Sequence, residues 1–324
     1  MMNRMAQRRA GAIAACVAVV ALAATAQAQP FPSKSIQLIV GYAPGGSVDA
    51  VARLLSDRLA KRLGQPVVVM NRPGGGTVIA SQALAKAAPD GHTIMLADIA
   101  HGANPALNRK LPYDTQKAFE PVVLVATFPT VLAVHPSLAV KDLQGFVALL
   151  KQKPDTVFYS TSGIGSMNHL ASELFKRETA TRMTAVHHQS GGQAITAVLG
   201  GHVQVMMATV PPLAGNVDKL SLLAVSAPQR LTAIPNVPTF SEAGMPQFRM
   251  QLWQGFIVPA GTPADAVKRL NTEINAVLAD PEVRDRIVQL GGSPQGGTTD
   301  AFGKFIDTDI ATWAQVITPD MLPQ

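Results

Sequence analysis

A glycine-rich segment carries the residues best suited to binding chemistry. It reads Pro44, Gly45, Gly46 and Ser47, and it lies between a strand-like run and a helical pattern. Glycines let backbone amides approach a ligand, and a helix N-terminus adds unpaired N–H groups with a partial positive charge. Such a loop binds a carboxylate or phosphate without needing Lys or Arg. The alternative is a plain tight turn in which Ser47 caps the helix.

Asp49 follows this loop, in the expected first turn of the helix. An acid at that place suits the helix dipole, but it would repel a bound carboxylate if its side chain pointed inward. We therefore expect Asp49 to cap the helix or to order the loop. Binding of a ligand ammonium group is the alternative.

Two further loops also lie between a strand-like run and a helical run. Residues 160–166 hold four hydroxyl side chains and two glycines, which is more hydroxyls than one helix cap requires. Residues 71–77 hold three consecutive glycines after a turn-forming Asn-Arg-Pro, and Arg72 could rim a site. Ligands of open α/β sheets collect at the carboxyl ends of strands, where all three loops are expected.

Motifs for covalent and nucleotide chemistry are missing from the sequence. There is neither a Gly-x-Ser-x-Gly nucleophile elbow nor a phosphate-binding Gly-Lys-Ser/Thr. Residues 163–168 begin like a dinucleotide fingerprint, but Asn168 occupies the position of the third glycine. A serine hydrolase using Ser162 or Ser166 with His169 is a distant alternative without a visible third group. We predict a protein that is not an enzyme and needs no metal and no cofactor.

Strand-like and helix-like runs alternate along most of the chain, which predicts an α/β fold. A β-rich stretch at 121–134 is broken by Pro129 and is a plausible crossing between two lobes. A strand-like run at 252–258 could return the chain. We predict a discontinuous first lobe, residues 29–130 plus 253–324, and a second lobe, residues 131–252.

The N-terminus has the composition of an export signal. Residues 1–9 are basic, an apolar run follows, and small residues at 26 and 28 form a cleavage box, so residues 1–28 are predicted to be a cleaved signal peptide. Three of the 27 basic residues lie in this segment, which has no acid, so half of the net charge of +6 belongs to it and half to the rest of the chain. Cys16, the only cysteine, lies there too. The mature chain is predicted to be periplasmic. It is not expected to bind nucleic acid, since its weak positive charge is spread out along the chain.

Nine short fragments resemble the Bug-type substrate-binding receptors of tripartite tricarboxylate transporters. In order they are residues 30–36 (PFPSKSI), 44–49 (PGGSVD), 63–69 (LGQPVVV), 71–74 (NRPG), 88–91 (APDG), 111–114 (LPYD), 199–201 (LGG), 259–263 (PAGTP) and 280–284 (DPEVR). Each fragment alone is weakly specific, but their order and spacing together are highly specific. The resemblance covers essentially all of residues 30–319.

This resemblance implies a two-lobed clamshell of the type II periplasmic binding protein class. It implies that a small organic anion, mostly a carboxylate, binds between the lobes and that a membrane permease then receives it from a monomeric receptor. A ligand-sensing protein that serves a membrane sensor kinase is the alternative. The implied ligand-binding residues are Tyr42, Pro44, Gly45, Gly46, Ser47, Asp49, Ala100, Thr161, Ser162, Ser166, His188, Gln189 and Thr209.

The chain departs from the family pattern in the second half of the implied site. His188 stands where the family usually has a tyrosine, and Gln189 replaces the usual cation. Further on, Ala208 replaces an acid, so the net charge of the cleft stays similar. An anion therefore remains the expected ligand, although the preference for a particular dicarboxylate does not carry over. An imidazole at position 188 also predicts binding that strengthens as the pH falls.

Overall fold

The computed structural model describes residues 31–107, 110–213, 216 and 218–317. The predicted signal peptide lies outside the described residues. Within them, no helix combines the length and hydropathy needed to cross a bilayer.

Two β-sheets organise the chain. The first contains, in spatial order, β11 (Ser293–Pro294), β4 (Phe119–Pro129), β10 (Gln251–Pro259), β3 (Thr93–Asp98), β1 (Ile36–Val40) and β2 (Val67–Asn71). The second contains β7 (Thr184–His187), β6 (Phe158–Thr161), β8 (Val205–Ala208), β5 (Val131–Val134) and β9 (Ser221–Val225). We call each sheet with its helices a lobe, and the first lobe takes strands from both ends of the chain.

Helices connect and cover these strands. Those of the first lobe are α1 (Ser47–Leu63), α2 (Val78–Ala85), α3 (Ile99–Leu107), α8 (Ala264–Leu278), α9 (Pro281–Gln289) and α10 (Thr299–Val316). Those of the second lobe are α4 (Leu143–Gln152), α5 (Met167–Thr179), α6 (Gly191–Leu199) and the short α7 (Val210–Leu213), with a 3-10 turn at Pro136–Leu138. This is the α/β architecture that the alternation of runs predicts.

Strand direction places the loops that matter here. In the first lobe β1 runs parallel to β2 and β3, and in the second lobe β6 runs parallel to β7 and β8. Parallel strands end at the same edge of a sheet, so the loops after them gather there. The loops following β1, β2 and β3 therefore meet the loops following β6, β7 and β8 across the gap between the lobes.

Two adjacent crossings join the lobes. The chain passes from β4 to β5 through Thr130, and it returns just before β10, where Gln251 pairs with Pro129. The Thr130 amide donates to the Met250 carbonyl at 3.3 Å, and the Thr130 carbonyl accepts from the Ser226 amide at 2.7 Å. The lobe boundaries at residues 130 and 253 stay predictions.

The core of the first lobe follows from its sequence patterns. Helix α1 buries an apolar stripe that includes Leu55 and Leu59, and it ends at Gly64, which adopts the left-handed conformation with φ 70°. On the other side of the sheet Trp253 packs edge-to-face on Phe302 of α10, with 5.7 Å between ring centroids. Truncating a buried leucine of this kind costs about 2–5 kcal/mol. The sheet edge that carries the loops therefore rests on a rigid platform.

Helix α3 is an element that the sequence patterns do not predict. It contains Pro105, and Gly102 lies in its middle, both of which disfavour a helix. Gly102 is required by packing, since a Cβ there would lie 2.0 Å from Oδ2 of Asp309 on α10. Close contact between α3 and α10 thus overrides local propensity.

Candidate functional site

Helix α1 begins without a side-chain cap. Its N-cap is Gly46, which makes no side-chain hydrogen bond, and Ser47 is the first helical residue. The interpretation of Ser47 as the N-cap is therefore wrong. Gly45 precedes it with φ 98°, a conformation that L side chains rarely adopt. The first-turn amides of α1 thus keep their capacity to donate to a ligand.

Asp49 holds this loop in place. Its carboxylate accepts from the Gly45 amide at 3.1 Å, from Arg53 Nε at 3.0 Å and from Asn71 Nδ2 at 2.9 Å. Burial raises the pKa of Asp49, but the hydrogen bonds from Arg53, Asn71 and Gly45 outweigh it, so the pKa is lowered. The Asn71 amide also donates to the Tyr42 carbonyl at 2.9 Å, which ties the loop to the end of β2.

A small chamber of about 30 Å³ lies between the lobes. Three helices begin at it, since Ser47 and Val48 of α1, Met167 and Asn168 of α5, and Gly191 of α6 all line its wall. Its other lining residues are Tyr42, Gly46, Asp98, Ser162, Thr209 and Leu252. A chamber of this size holds about two water molecules or one carboxylate group. Among the described residues that line it there is neither Lys nor Arg.

The hydroxyls of residues 160–166 divide into two groups. Thr161 Oγ1 accepts from the Gly163 amide at 3.1 Å and is 2.8 Å from His187 Nδ1, whereas Ser166 caps α5 and donates to the Gly163 carbonyl at 2.6 Å. These two side chains hold the loop and line neither chamber described here. Ser162 Oγ donates to Asn168 Oδ1 at 2.7 Å and does line the small chamber.

The same contacts bear on the serine hydrolase alternative. The His169 ring nitrogen Nδ1 accepts from the Gly165 amide at 3.3 Å, and the Ser166 hydroxyl donates to a backbone carbonyl. Burial lowers the pKa of His169 to about 4, with smaller influences from Glu173, His187 and Lys176. The residues are thus engaged in loop structure, and a histidine of this pKa is a weak general base at neutral pH.

Asp98 is a wall residue that sequence reasoning missed. It ends β3, is 3% exposed, and accepts from the Tyr42 hydroxyl at 2.8 Å and from the Ala100 amide at 3.1 Å. Burial raises its pKa, and the two hydrogen bonds only partly offset this, so the pKa is about 6. Ala100, a predicted ligand-binding residue, instead gives its amide to Asp98. The sequence signal that could have identified Asp98 is a single acid at the end of an apolar strand.

A larger chamber of about 330 Å³ adjoins the small one. Tyr42 and Ser162 line both chambers. The remaining wall consists of Gly41, Pro73, Gly74, Gly75, Gly76 and Thr77 from the first lobe, and of Gly163, Ile164, His187, His188 and Gln189 from the second. The third glycine loop, the predicted His188 and the predicted Gln189 thus share one cavity. Arg72 is exposed and lies outside both walls.

The two histidines of the larger chamber are shifted toward the neutral form. Burial is the main cause for both and lowers the pKa of His187 and of His188 below the usual 6.5. The His188 charge lowers the pKa of His187 further, and Glu173 raises it slightly. Within the described part of the chain, the buried Nε2 atom of His188 has no hydrogen-bond partner.

Glycines allow the lobes to meet around these chambers. The Ala43 amide donates to the Gln189 carbonyl at 3.4 Å. A Cβ on Gly192 would lie 3.3 Å from the Gly45 carbonyl oxygen, and a Cβ on Gly76 only 2.0 Å from the Ile164 oxygen. The first distance is tight, and the second requires glycine as long as the lobes are closed.

The predicted site residues therefore fall into four sets. Tyr42, Gly46, Ser47, Ser162 and Thr209 line the small chamber, and His188 and Gln189 join Tyr42 and Ser162 in the larger one. Asp49, Ala100, Thr161 and Ser166 act on neighbouring backbone instead, and Pro44 and Gly45 are exposed at the rim. The other lining residues of the small chamber were not predicted, namely Val48, Asp98, Met167, Asn168, Gly191 and Leu252.

Comparisons with known proteins agree with this architecture. Residues 51–321 match the family described as the tripartite tricarboxylate transporter family receptor. The protein BugT of Bordetella pertussis is 34% identical over 307 residues, which is 93% of this chain and 94% of the relative. The relatives are thus matched along nearly their whole length.

Two solved structures of similar proteins contain a ligand. One is MatC of Rhodopseudomonas palustris with bound malate, which is 32% identical with a TM-score of 0.85 and covers 89% of this chain and 100% of its own. The other is R. palustris Rpa4515 with adipate, which is 30% identical with a TM-score of 0.85 and covers 88% of this chain and 97% of its own. The predicted periplasmic-binding-protein fold and the resemblance are confirmed. The chain belongs to the tripartite tricarboxylate transporter receptor family, whose members are periplasmic solute-binding proteins.

Proposed function

We propose that the protein is an exported receptor that captures a small organic carboxylate between its lobes and delivers it to a tripartite tricarboxylate-type permease. The observation that carries this proposal is the convergence of α1, α5 and α6 on one small chamber. Each helix N-terminus corresponds to roughly half a positive charge. Three of them aimed at one point favour an anion without a basic side chain.

In this proposal the backbone of the first lobe is the main hydrogen-bond donor to the anion. Helices α5 and α6 have side-chain caps, because Ser166 accepts from the His169 amide and Ser190 accepts from the Gln193 amide at 3.2 Å. Helix α1 has none, so its first-turn amides are free to bind a carboxylate. The Ser162 hydroxyl lies on the opposite wall and is in position to add a second contact from the other lobe.

The ligands of the structural neighbours support the carboxylate class. Malate and adipate both carry carboxylates, and the proteins that bind them share this fold over almost their full length. Capture requires no covalent step, only a closure in which both lobes contact the solute. Ligand binding to the closed form then shifts the population of receptors toward it.

Calorimetric titration against a panel of small carboxylates tests the proposal. We expect at least one ligand to bind, and we expect Gly46→Val to abolish that binding while the fold is kept. Gly46 has φ −92°, which valine tolerates, and its Cβ would lie 3.7 Å from the Gly191 amide nitrogen, so the branched methyls would enter the small chamber.

The matched control is Gly145→Val, which places the same side chain in the first turn of α4 on the exposed surface of the second lobe. Thermal unfolding of both variants verifies folding, and the ligand should raise the melting temperature of the control alone. Equal affinity in the Gly46 variant and its control, or turnover of the ligand by the pure protein, would contradict the proposal. Loss of uptake of the ligand by cells that lack the receptor tests delivery.

A further inference from the structure

The larger chamber has a wall without permanent charge. The residues that the structure places around it include no Asp, Glu, Lys or Arg. Its titratable groups are His187 and His188, both shifted toward the neutral form, and the Tyr42 phenol, whose proton bonds to Asp98. Glu173, which acts electrostatically on His187, is engaged elsewhere and accepts from Lys176 at 2.8 Å and from the Tyr159 hydroxyl.

The small chamber is too small for a whole ligand. Its volume of about 30 Å³ accepts one carboxylate group, so the rest of any solute must pass Tyr42 and Ser162 into the adjoining volume of about 330 Å³. A second carboxylate on that solute would lie there beside the half-buried His188 and the exposed Gln189, neither of which offers it a positive charge at neutral pH. Burying an ion without an opposite charge is costly, whereas an uncharged group meets no such penalty.

The wall itself matches an uncharged body. From the first lobe, Gly74, Gly75 and Gly76 present peptide groups without side chains, and all three have positive φ. From the second lobe, His188 presents an imidazole whose buried Nε2 lacks a partner among the described residues. A neutral imidazole nitrogen donates to a carbonyl or hydroxyl oxygen, or accepts from a hydroxyl.

We propose that the receptor selects monocarboxylates with an uncharged distal part, which fills the larger chamber beside His188, over dicarboxylates of the same length. This inference rests on the proposed function, since it assumes that the first carboxylate occupies the small chamber. Gln189 is the position that sets the preference, because it is the wall residue where a cation would make a second carboxylate acceptable.

The test compares adipate, its monomethyl ester and hexanoate. All three have a six-carbon acid chain with a carboxylate at one end, and they differ at the other end. The same three forms of shorter and longer chains are also titrated. Calorimetric titration at about pH 8 should give the monoester an affinity about tenfold or more above that of the diacid. A diacid that binds as tightly as its monoester, or more tightly, overturns this inference and leaves the proposed function intact. Absence of binding by every member overturns both.

Gln189→Arg and its uncharged control Gln189→Met test the assigned position. The arginine should reverse the preference in favour of the diacid by about tenfold, whereas methionine of similar length should leave the monoester preferred. Melting temperatures of both variants establish that they fold. A reversal in both variants, or in neither, would place the determinant of charge preference elsewhere and overturn the role of Gln189.

Discussion

The two chambers of the cleft differ in what their walls offer a solute. The small chamber is built from helix N-termini, so its positive potential comes from the backbone, and it also contains one buried acid, Asp98. The larger chamber is built from a glycine loop and the segment 187–189, so its chemistry comes from side chains that are neutral at neutral pH. In the proposed function, attraction of the anion and discrimination among anions therefore depend on different residues and can be changed separately.

Breaking the closure should abolish the difference between the chambers altogether. Gly76→Ala places a Cβ 2.0 Å from the Ile164 oxygen of the other lobe, so the lobes are forced apart. We expect affinity for every carboxylate to fall by about 100-fold, because the closed state loses population. Calorimetry measures the affinity, and small-angle scattering should show that ligand no longer compacts the protein.

Gly64→Ala is the matched control for this variant. Gly64 also has a left-handed backbone, φ 70° against φ 58° for Gly76, but a Cβ there meets nothing within 4 Å. Both variants should lose about 1 kcal/mol of stability from backbone strain. If Gly64→Ala weakened binding equally, the cause would be strain and not lobe contact.

Removing the acid from the small chamber should strengthen carboxylate binding there. Asp98 has a pKa of about 6, so at pH 8 its carboxylate repels a bound carboxylate, and at pH 5 it is protonated. Asp98→Asn should therefore strengthen binding about tenfold at pH 8 and little at pH 5, as calorimetry at both values will show. Asp142→Asn, which changes the exposed cap of α4, is the control and should leave affinity unchanged.

Stability should follow the same group with a defined sign. Because the folded pKa of Asp98 is raised above the ordinary value, its contribution favours the folded state at low pH and is lost as the pH rises through about 6. The melting temperature of Asp98→Asn should thus fall less than that of wild type between pH 5 and pH 8. Equal losses in both proteins would contradict the buried, protonated state.

The smallest expected effect concerns the larger chamber. A second carboxylate near His188 would favour its protonated form, so adipate should gain affinity relative to its monoester as the pH falls from about 8 to about 5.5. Burial lowers the pKa of His188, which limits this gain to about threefold. His188→Tyr should remove the gain in calorimetric titrations. A gain that persists in this variant would belong to His187, which lines the same chamber, or to the second carboxylate of the ligand.

Local patterns predicted those parts of the fold and site that depend on neighbouring residues. The strand before Gly41, the helix from Ser47 to its stop at Gly64 and the glycines between them follow from hydrophobic periodicity and turn chemistry. Helix α3 was not predicted because Gly102 and Pro105 both disfavour a helix locally, and the close contact with α10 that accounts for Gly102 is tertiary.

The composition of the chambers depends on tertiary packing and was therefore harder to predict. Asp98 resembles any acid that ends a strand until burial brings it beside the N-terminus of α1. The adjacency of Gly76 and Ile164, 88 positions apart, depends on how the lobes meet. Conversely, the surplus hydroxyls of residues 160–166 pointed to a ligand, yet Thr161 and Ser166 hold their own loop.

The uncapped start of α1 has a consequence for folding as well as for binding. The N-cap Gly46 supplies no side-chain hydrogen bond to this helix, and in the proposed function a bound carboxylate would act as its external cap. A side-chain cap typically contributes about 1 kcal/mol, so a bound carboxylate should stabilise the first turn of α1 by a similar amount. Hydrogen exchange at the amides of Val48 and Asp49 would then report occupancy directly. In the proposed function the solute completes the hydrogen bonding of the first turn of α1, so binding of the cargo is also the last step in forming this helix end.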